Sequence, residues 1–324
     1  MSQWALMMPQ DVAIRLAFVT AMIGALGCQP SRRAPAPNAA PMVMRRPLID
    51  FARGAGGFPL ADNTMPESAQ QLVRSLTRGY SRRVKFREGV APVIICADQF
   101  PSLESLFVDL SGAEILPDYR PTLLPKGTVP GAEIFVAELE YVATPLRYDE
   151  GRTDLRIVAR DAKLALLNGG GEGSVLVMTE ASGGSADFQV AVSDLRTMFL
   201  ASMRTAGARF GYMVTGLNLT IDSPNPRSLS CAIDVSGWWL LLPTSFRLSG
   251  RLDVDEQFMG HLSGVSCKGT DVGGALAAGF IDASLGKYDG KIMPVARFAG
   301  GKIRLRDLSI RVDDSVRIHA RFGS

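Results

Sequence analysis

Leu242-Pro-Thr-Ser-Phe-Arg-Leu-Ser-Gly-Arg-Leu-Asp-Val254 decides the fold class. Phe246, Leu248, Leu252 and Val254 share one parity, while Arg247, Ser249, Arg251 and Asp253 share the other. A period of two sends successive side chains to opposite faces, so the stretch reads as a strand with one apolar and one wet face. The same alternation extends on either side. Residues 210–221, the set Leu229, Cys231, Ile233 and Val235, and residues 259–267, 303–312 and 316–322 all carry it.

Toward the N-terminus, Leu155, Ile157 and Ala159 continue on the opposite parity as Ala162, Leu164 and Leu166, which predicts a bulge at Arg160-Asp161. Asn168-Gly-Gly-Gly-Glu-Gly173 then turns the chain, residues 175–178 return, and Ser182-Gly-Gly-Ser185 turns it again before Phe188, Val190 and Val192. The glycine cluster lacks the Lys-Ser/Thr of a phosphate loop and sits between strands, so it reads as a hairpin turn. Half-apolar strands joined by short turns predict an antiparallel meander. Ile157 to Leu166 and Ile303 to Val312 both change parity at an Arg-Asp pair, an internal echo that alternating strands also produce by chance.

Three helices interrupt the strands. Pro66 to Arg78 carries Leu72, Val73 and Leu76 and stops at Gly79. Ser193 is placed to cap Asp194 to Ala206, with Leu195, Met198, Phe199 and Met203 on one face and Gly207 at the end. Val272 to Leu285 is predicted to turn Leu276, Phe280 and Ile281 toward a core, with Gly273, Gly274, Ala277, Ala278 and Gly279 allowing close approach.

A net charge of +3 over 324 residues is too balanced for a nucleic-acid binder. Arg32-Arg33, Arg45-Arg46 and the segment 82–87 are basic clusters that suit a solvated face or anionic lipid. Two histidines argue against a Ser-His-Asp hydrolase or a multi-histidine metal site, and His319, between Arg317 and Arg321, faces solvent in this reading. Asp253, Asp255, Glu256, Asp313 and Asp314 are the carboxylates an enzyme could use, yet they fall at strand ends and turns. Neither an enzyme nor a cofactor nor a metal is expected. Cys96, Cys231 and Cys267 sit in apolar or alternating runs and read as small buried hydrophobes, with a Cys231 to Cys267 bridge as the lesser alternative.

The N-terminus carries an address. The apolar run 16–26 follows Arg15 and ends at Ala25-Leu26-Gly27-Cys28, after which residues 29–41 are rich in Pro and Ala. Such a run is too short for a hydrocarbon core of about 30 Å but suits a secretory signal. A cysteine at the cleavage point resembles the lipobox of a bacterial lipoprotein, and a plain signal peptide or a buried N-terminal helix is the competing reading. The expected organisation is a signal over 1–27, lipidated Cys28 and a tether over 28–60, a helix and basic segment over 61–90, and an α+β domain over 91–324.

Asp109-Leu-Ser-Gly-Ala-Glu-Ile115, Val192-Ser-Asp-Leu195, the 242–254 strand and residues 264–274 stand out within the order of elements over roughly residues 100–322. In that order and texture the chain resembles the LmeA-like phospholipid-binding proteins and, more broadly, the tubular lipid-binding (TULIP) superfamily. The resemblance implies a strongly curved antiparallel meander sheet wrapped around two or three helices, holding acyl chains of a phospholipid or similar amphiphile. On that basis Phe188, Val190, Val192, Met198, Phe199, Met203, Phe246, Leu248, Leu252, Phe280 and Ile281 are the expected apolar lining, although each could equally fill a solid core. Trp238 and Trp239, in Gly237-Trp-Trp-Leu-Leu-Leu-Pro243, suit a membrane-touching lip or pocket mouth as well as an ordinary strand start. The expected setting is the bacterial cell envelope, at the outer membrane facing the periplasm, with the acylated N-terminus in the membrane. A lipid-anchored structural or assembly protein is the alternative, its protein partner unknown.

Overall fold

The computed structural model describes residues 47–324 apart from 54–56, 90, 98, 118–127, 149, 169–172, 209–210 and 240–241, and the side chains of 280, 283 and 284. Cys28 and the signal and lipobox expectations lie outside the described residues, as does the side chain of Phe280. The fold is α+β. Its elements run β1 (Ile49–Asp50), β2 (Phe58–Leu60), α1 (Ala69–Ser81), β3 (Val84–Lys85), β4 (Val93–Cys96), β5 (Ser102–Asp109), β6 (Glu114–Ile115), β7 (Glu133–Tyr148), β8 (Gly151–Asn168), β9 (Ser174–Glu180) and β10 (Gly183–Ala191). They continue with α2 (Val192–Ala208), β11 (Tyr212–Asp222), β12 (Ser228–Trp239), β13 (Leu242–Val254), β14 (Met259–Gly269), α3 (Val272–Leu285), β15 (Ile292–Pro294), β16 (Ala296–Arg297), β17 (Arg304–Val312) and β18 (Ser315–Gly323).

The larger sheet has the order β17-β18-β10-β8-β7-β5-β4, with β9 beside the far half of β8 and β2 on β9, and with β6 beside β7 and β3 on β6. A separate sheet, β11-β12-β13-β14-β15, is antiparallel throughout. A simple meander is therefore a correct account of the second sheet only. In the first, β5 and β6 both run parallel to β7, and β10 lies between β8 and the distant β18. Local alternation carries no information about which strand lies next to which, so these pairings had no signature in the sequence.

Asp161 adopts φ +48, and there β8 exchanges one partner for another: Arg160 lies opposite Gly183 of β10, Leu164 opposite Met178 of β9. The Ser182 hydroxyl donates to the Asp161 carboxylate at 2.7 Å and holds the handover. The second Arg-Asp pair sits at a register shift between Leu305 and Asp307 of β17, so both parity changes are real irregularities.

One core lies around α1, whose Leu72 and Leu76 meet Leu106, Ile134 and Leu164. Ser68 rather than Pro66 begins this helix, accepting from the Gln71 N–H at 3.3 Å. Within the span expected as a tether, β1 pairs with β16 and β2 pairs with β9. The other core lies between the second sheet, α2 and α3, and is closed by β10, β17 and β18. The outer face of that sheet is polar, with Ser230, Asp234, Arg247, Ser249 and Arg251 side by side across β12 and β13. Apolar inside and wet outside is the arrangement alternation predicts for an antiparallel sheet with one covered face.

Candidate functional site

Ten of the expected lining positions are described, and most of them converge. Phe188 and Val190 reach the second core from β10, Phe199 and Met203 from α2, and Phe246, Leu248 and Leu252 from β13. Val192 and Ile281 are half-buried against the same cluster. Met198 is buried elsewhere, against β8, where a Cβ on Gly151 would come within 2.4 Å of its Cγ. Val192 is a correction in secondary structure: it begins α2 instead of ending a strand. Its N–H donates to the Asp314 carbonyl at 3.0 Å, and Asp194 occupies the helix's first turn, where a carboxylate is favourable.

The third helix supplies a second correction. Leu276 faces solvent, 54% exposed, while Ala278 is buried against the sheet. Cβ atoms on Gly273 and Gly274 would lie 2.6 Å from the Pro243 carbonyl oxygen and 1.8 Å from that of Ser245. The helix thus presents its smallest residues to β13 and leaves an apolar stripe, Val272, Ala275, Leu276 and Gly279, outside. Before Asp282 this helix has only apolar residues and glycine on every side, so its sequence specifies no buried face there; backbone approach to β13 does. Asp271 caps it by accepting the Gly274 N–H at 2.6 Å, and Asp282 accepts the Cys267 N–H at 2.8 Å.

Burial keeps the titratable thiols and the tyrosine of this core in their neutral forms. Burial pushes the Cys231 thiol up to about 12, and burial with the nearby Asp282 does the same for Cys267. Both are free thiols, so the bridge is not formed. Cys96 departs from expectation, being exposed on the edge strand β4. The Tyr212 hydroxyl donates to the Thr244 carbonyl at 3.0 Å, and burial, reinforced by Asp271, raises its pKa to about 12.

Of the carboxylates considered for catalysis, Asp253, Asp255 and Asp313 hold local structure. Asp253 accepts from Arg251 at 2.8 Å and from the Ser228 hydroxyl. Asp255 accepts the Gln257 and Met259 N–H groups at 2.9 and 2.8 Å and lies 2.8 Å from His261 Nε2. Burial works against its ionisation, but these hydrogen bonds outweigh it and lower its pKa. Asp313 accepts from the Ser315 N–H at 2.9 Å and pairs with Arg317. Among the described residues no three His, Cys, Asp or Glu side chains gather as metal ligands.

His319 does lie on the polar side of β18, as its neighbours imply, and its Nδ1 is 2.6 Å from Asp187. The pair lines an open depression of about 430 Å3 across β8, β10, β17 and β18, together with Asp154, Arg156, Arg311 and Arg317. Burial, then the proximity of Asp194, raises the pKa of Asp154. Arg156 pairs with Glu140 and Arg317 with Asp313, which leaves the basin close to neutral.

Trp238 and Trp239 end β12, and Leu242 and Pro243 begin β13 opposite them. Trp238 is 44% exposed and Trp239 half-buried. Met213, 62% exposed, lies directly opposite Trp238 on the outer face. The sequence gives no hint of that neighbour, because it arises from the β11–β12 register. No family model, curated protein or solved structure matches this chain. No described helix is long and apolar enough to cross a membrane.

Proposed function

We propose that this protein binds a phospholipid or similar amphiphile noncovalently in the apolar layer between α2, α3 and the second sheet, with the sheets curving around these helices in the tubular lipid-binding manner. Acylated Cys28 would hold it at a bacterial envelope membrane. The observation that carries this reading is α3 itself: an apolar helix that meets the sheet through glycine and alanine and leaves an aliphatic stripe uncovered. From Val272 to Ile281 such a helix has no polar face to exclude acyl chains from either side. Binding would separate α3 from β13 and replace helix-sheet contacts with chain contacts, each buried CH2 contributing about 0.8 kcal/mol. The role is retention or carriage of lipid, with no catalytic step.

Dense packing favours a second reading, a lipid-anchored structural or assembly protein. Phe246, Leu248 and Leu252 are buried among protein side chains, and the two depressions described above and near Phe135 are lined mainly by other residues.

The two readings separate in one experiment. The full chain is purified natively and extracted with organic solvent, and mass spectrometry compares its lipids with those of a denatured, washed control. Stoichiometric lipid supports the binder; a clean extract from folded protein favours the structural role. Phe199→Asp tests the location. Loss of lipid from a variant with native circular dichroism supports the core site, and unchanged retention excludes Phe199 from it.

A further inference from the structure

We infer that the end of the second sheet formed by the last residues of β12 and the first of β13 is a docking surface for an anionic lipid bilayer. This deepens the lipid-binding reading but rests on different residues. The internal site can be empty while the tip still docks.

Strand ends converge here. Met213 at the start of β11, Trp238 at the end of β12 and Pro243 at the start of β13 are consecutive neighbours across the outer face. Trp239 and Leu242 form the matching pair on the inner face. Val272 opens α3 beside them, since Gly273 is in contact with the Pro243 carbonyl and Thr244. Met213, Trp238, Leu242, Val272 and Leu276 are 62, 44, 50, 81 and 54% exposed, so the large apolar side chains presented to solvent concentrate at this end. Elsewhere the outer face of the sheet carries Ser, Asp and Arg.

A bilayer suits this patch better than a protein does. The five side chains expose on the order of 500 Å2, taking large side chains at about 150–250 Å2 each. That is below the roughly 800 Å2 per partner of a stable protein interface but within the size of a functional surface patch. A bilayer accepts a narrow apolar tip without shape complementarity, and tryptophan favours its interface. Charge agrees. Asp271 at the tip caps α3 and keeps its negative charge, which the two basic side chains without an acidic partner among the described residues, Lys268 and Arg204, outnumber. Behind the tip stand Lys268 and Arg247, directly opposite each other on β14 and β13, and Arg204 near the end of α2. Arg247 pairs with Asp234 at 2.8 Å, while Lys268 and Arg204 have no acidic partner among the described residues. Arg247 lies about 13 Å from Pro243 along the strand, where long basic side chains meet headgroup phosphates.

The tip is also remote from the chain's entry. The Leu48 N–H donates to the Pro294 carbonyl, and β15 pairs with the start of β14, at the opposite end of the sheet. The 13 residues of β13 separate the two ends by roughly 40 Å. Contact at the tip thus uses residues at the end of the sheet opposite Leu48.

Single-tryptophan fluorescence tests this. The full chain carrying Trp4→Phe and Trp239→Phe, which leaves Trp238 as the only tryptophan, is reconstituted into vesicles. Brominated anionic lipid is placed either in those vesicles or in a second, added population. At least a twofold loss of Trp238 emission in either arrangement, relieved by high salt and by Met213→Ser/Leu242→Ser/Val272→Ser, supports docking; the arrangement that quenches identifies which bilayer is held. The inference is overturned by a folded chain unquenched in both arrangements, by quenching that survives the triple substitution, or by an emission shift that depends on protein concentration without vesicles. The last result would assign the tip to a second copy of the chain.

Discussion

The orientation of α3 is testable by making the same truncation on its two sides. Leu248 lies on β13 and is 1% exposed, whereas Leu276 lies on the outer stripe of the helix and is 54% exposed. Leucine to alanine deletes three carbons. At about 0.8 kcal/mol per buried carbon, Leu248→Ala loses about 2.4 kcal/mol of transfer energy, and the cavity brings the total to roughly 3–4 kcal/mol. Leu276 has less than half its surface to lose, and no cavity remains in open solvent. Alanine is also a slightly better helix former, so Leu276→Ala should cost at most about 1 kcal/mol. For a chain of this size each kcal/mol lowers Tm by about 2–4 °C, so the first variant melts roughly 6–16 °C lower and the second at most about 4 °C lower. Urea unfolding followed by far-ultraviolet circular dichroism gives the free energies directly, provided the slopes agree. Losses equal within about 0.5 kcal/mol, or a larger loss for Leu276→Ala, would mean that the helix buries its leucine stripe. Both the exposed apolar tip and the close glycine contact would then be wrong.

Three further outcomes follow from the geometry. Gly279→Ala has open space around its Cβ and should stabilise α3 by about 0.5–1 kcal/mol; Gly274→Ala drives a Cβ into the Ser245 carbonyl and should destabilise, the opposite sign read in one melting experiment. A thiol reagent at pH 8 should modify Cys96 in the native protein and reach Cys231 and Cys267 only on unfolding, as peptide mass spectrometry would show; equal native labelling would refute their burial. The Gly274 N–H, with smaller contributions from Ser245, holds the Asp271 carboxyl below its ordinary 3.8 against the opposing effect of partial desolvation. A lowered native pKa gives stabilisation that is present above about pH 4 and disappears as the pH falls through the native value. Asp271→Asn keeps a cap acceptor but does not titrate, so its stability should decline less steeply than the wild type's between about pH 4 and pH 2.

The strands were legible wherever one face is wet. In 229–235 and 246–254 the polar and apolar residues separate cleanly by parity, and β12 and β13 bury the expected side. Arg160-Asp161 was legible as a break because the parity changes there, although its use as a handover between β10 and β9 was not. Of the candidate lining, the residues on β10, α2 and β13 other than Met198 could be read as one buried set. Leu276 was misread because its helix has no polar face. Cys96 was misread because an apolar run at a sheet edge looks like one in its interior. Met213 could not be found at all, since a methionine at a strand start carries no mark of its cross-strand neighbour.

By itself, the sequence determined the local period, the turns and the inward parity of most strands, because each depends on side chains within a few residues of one another. Tertiary structure alone decided that β5 lies parallel to β7, that β10 joins β18, that α3 turns Gly273 and Gly274 inward and Leu276 outward, and that Met213 meets Trp238. Those outcomes depend on contacts between segments far apart in the chain, where backbone approach and register select among arrangements that hydrophobic patterning leaves equivalent.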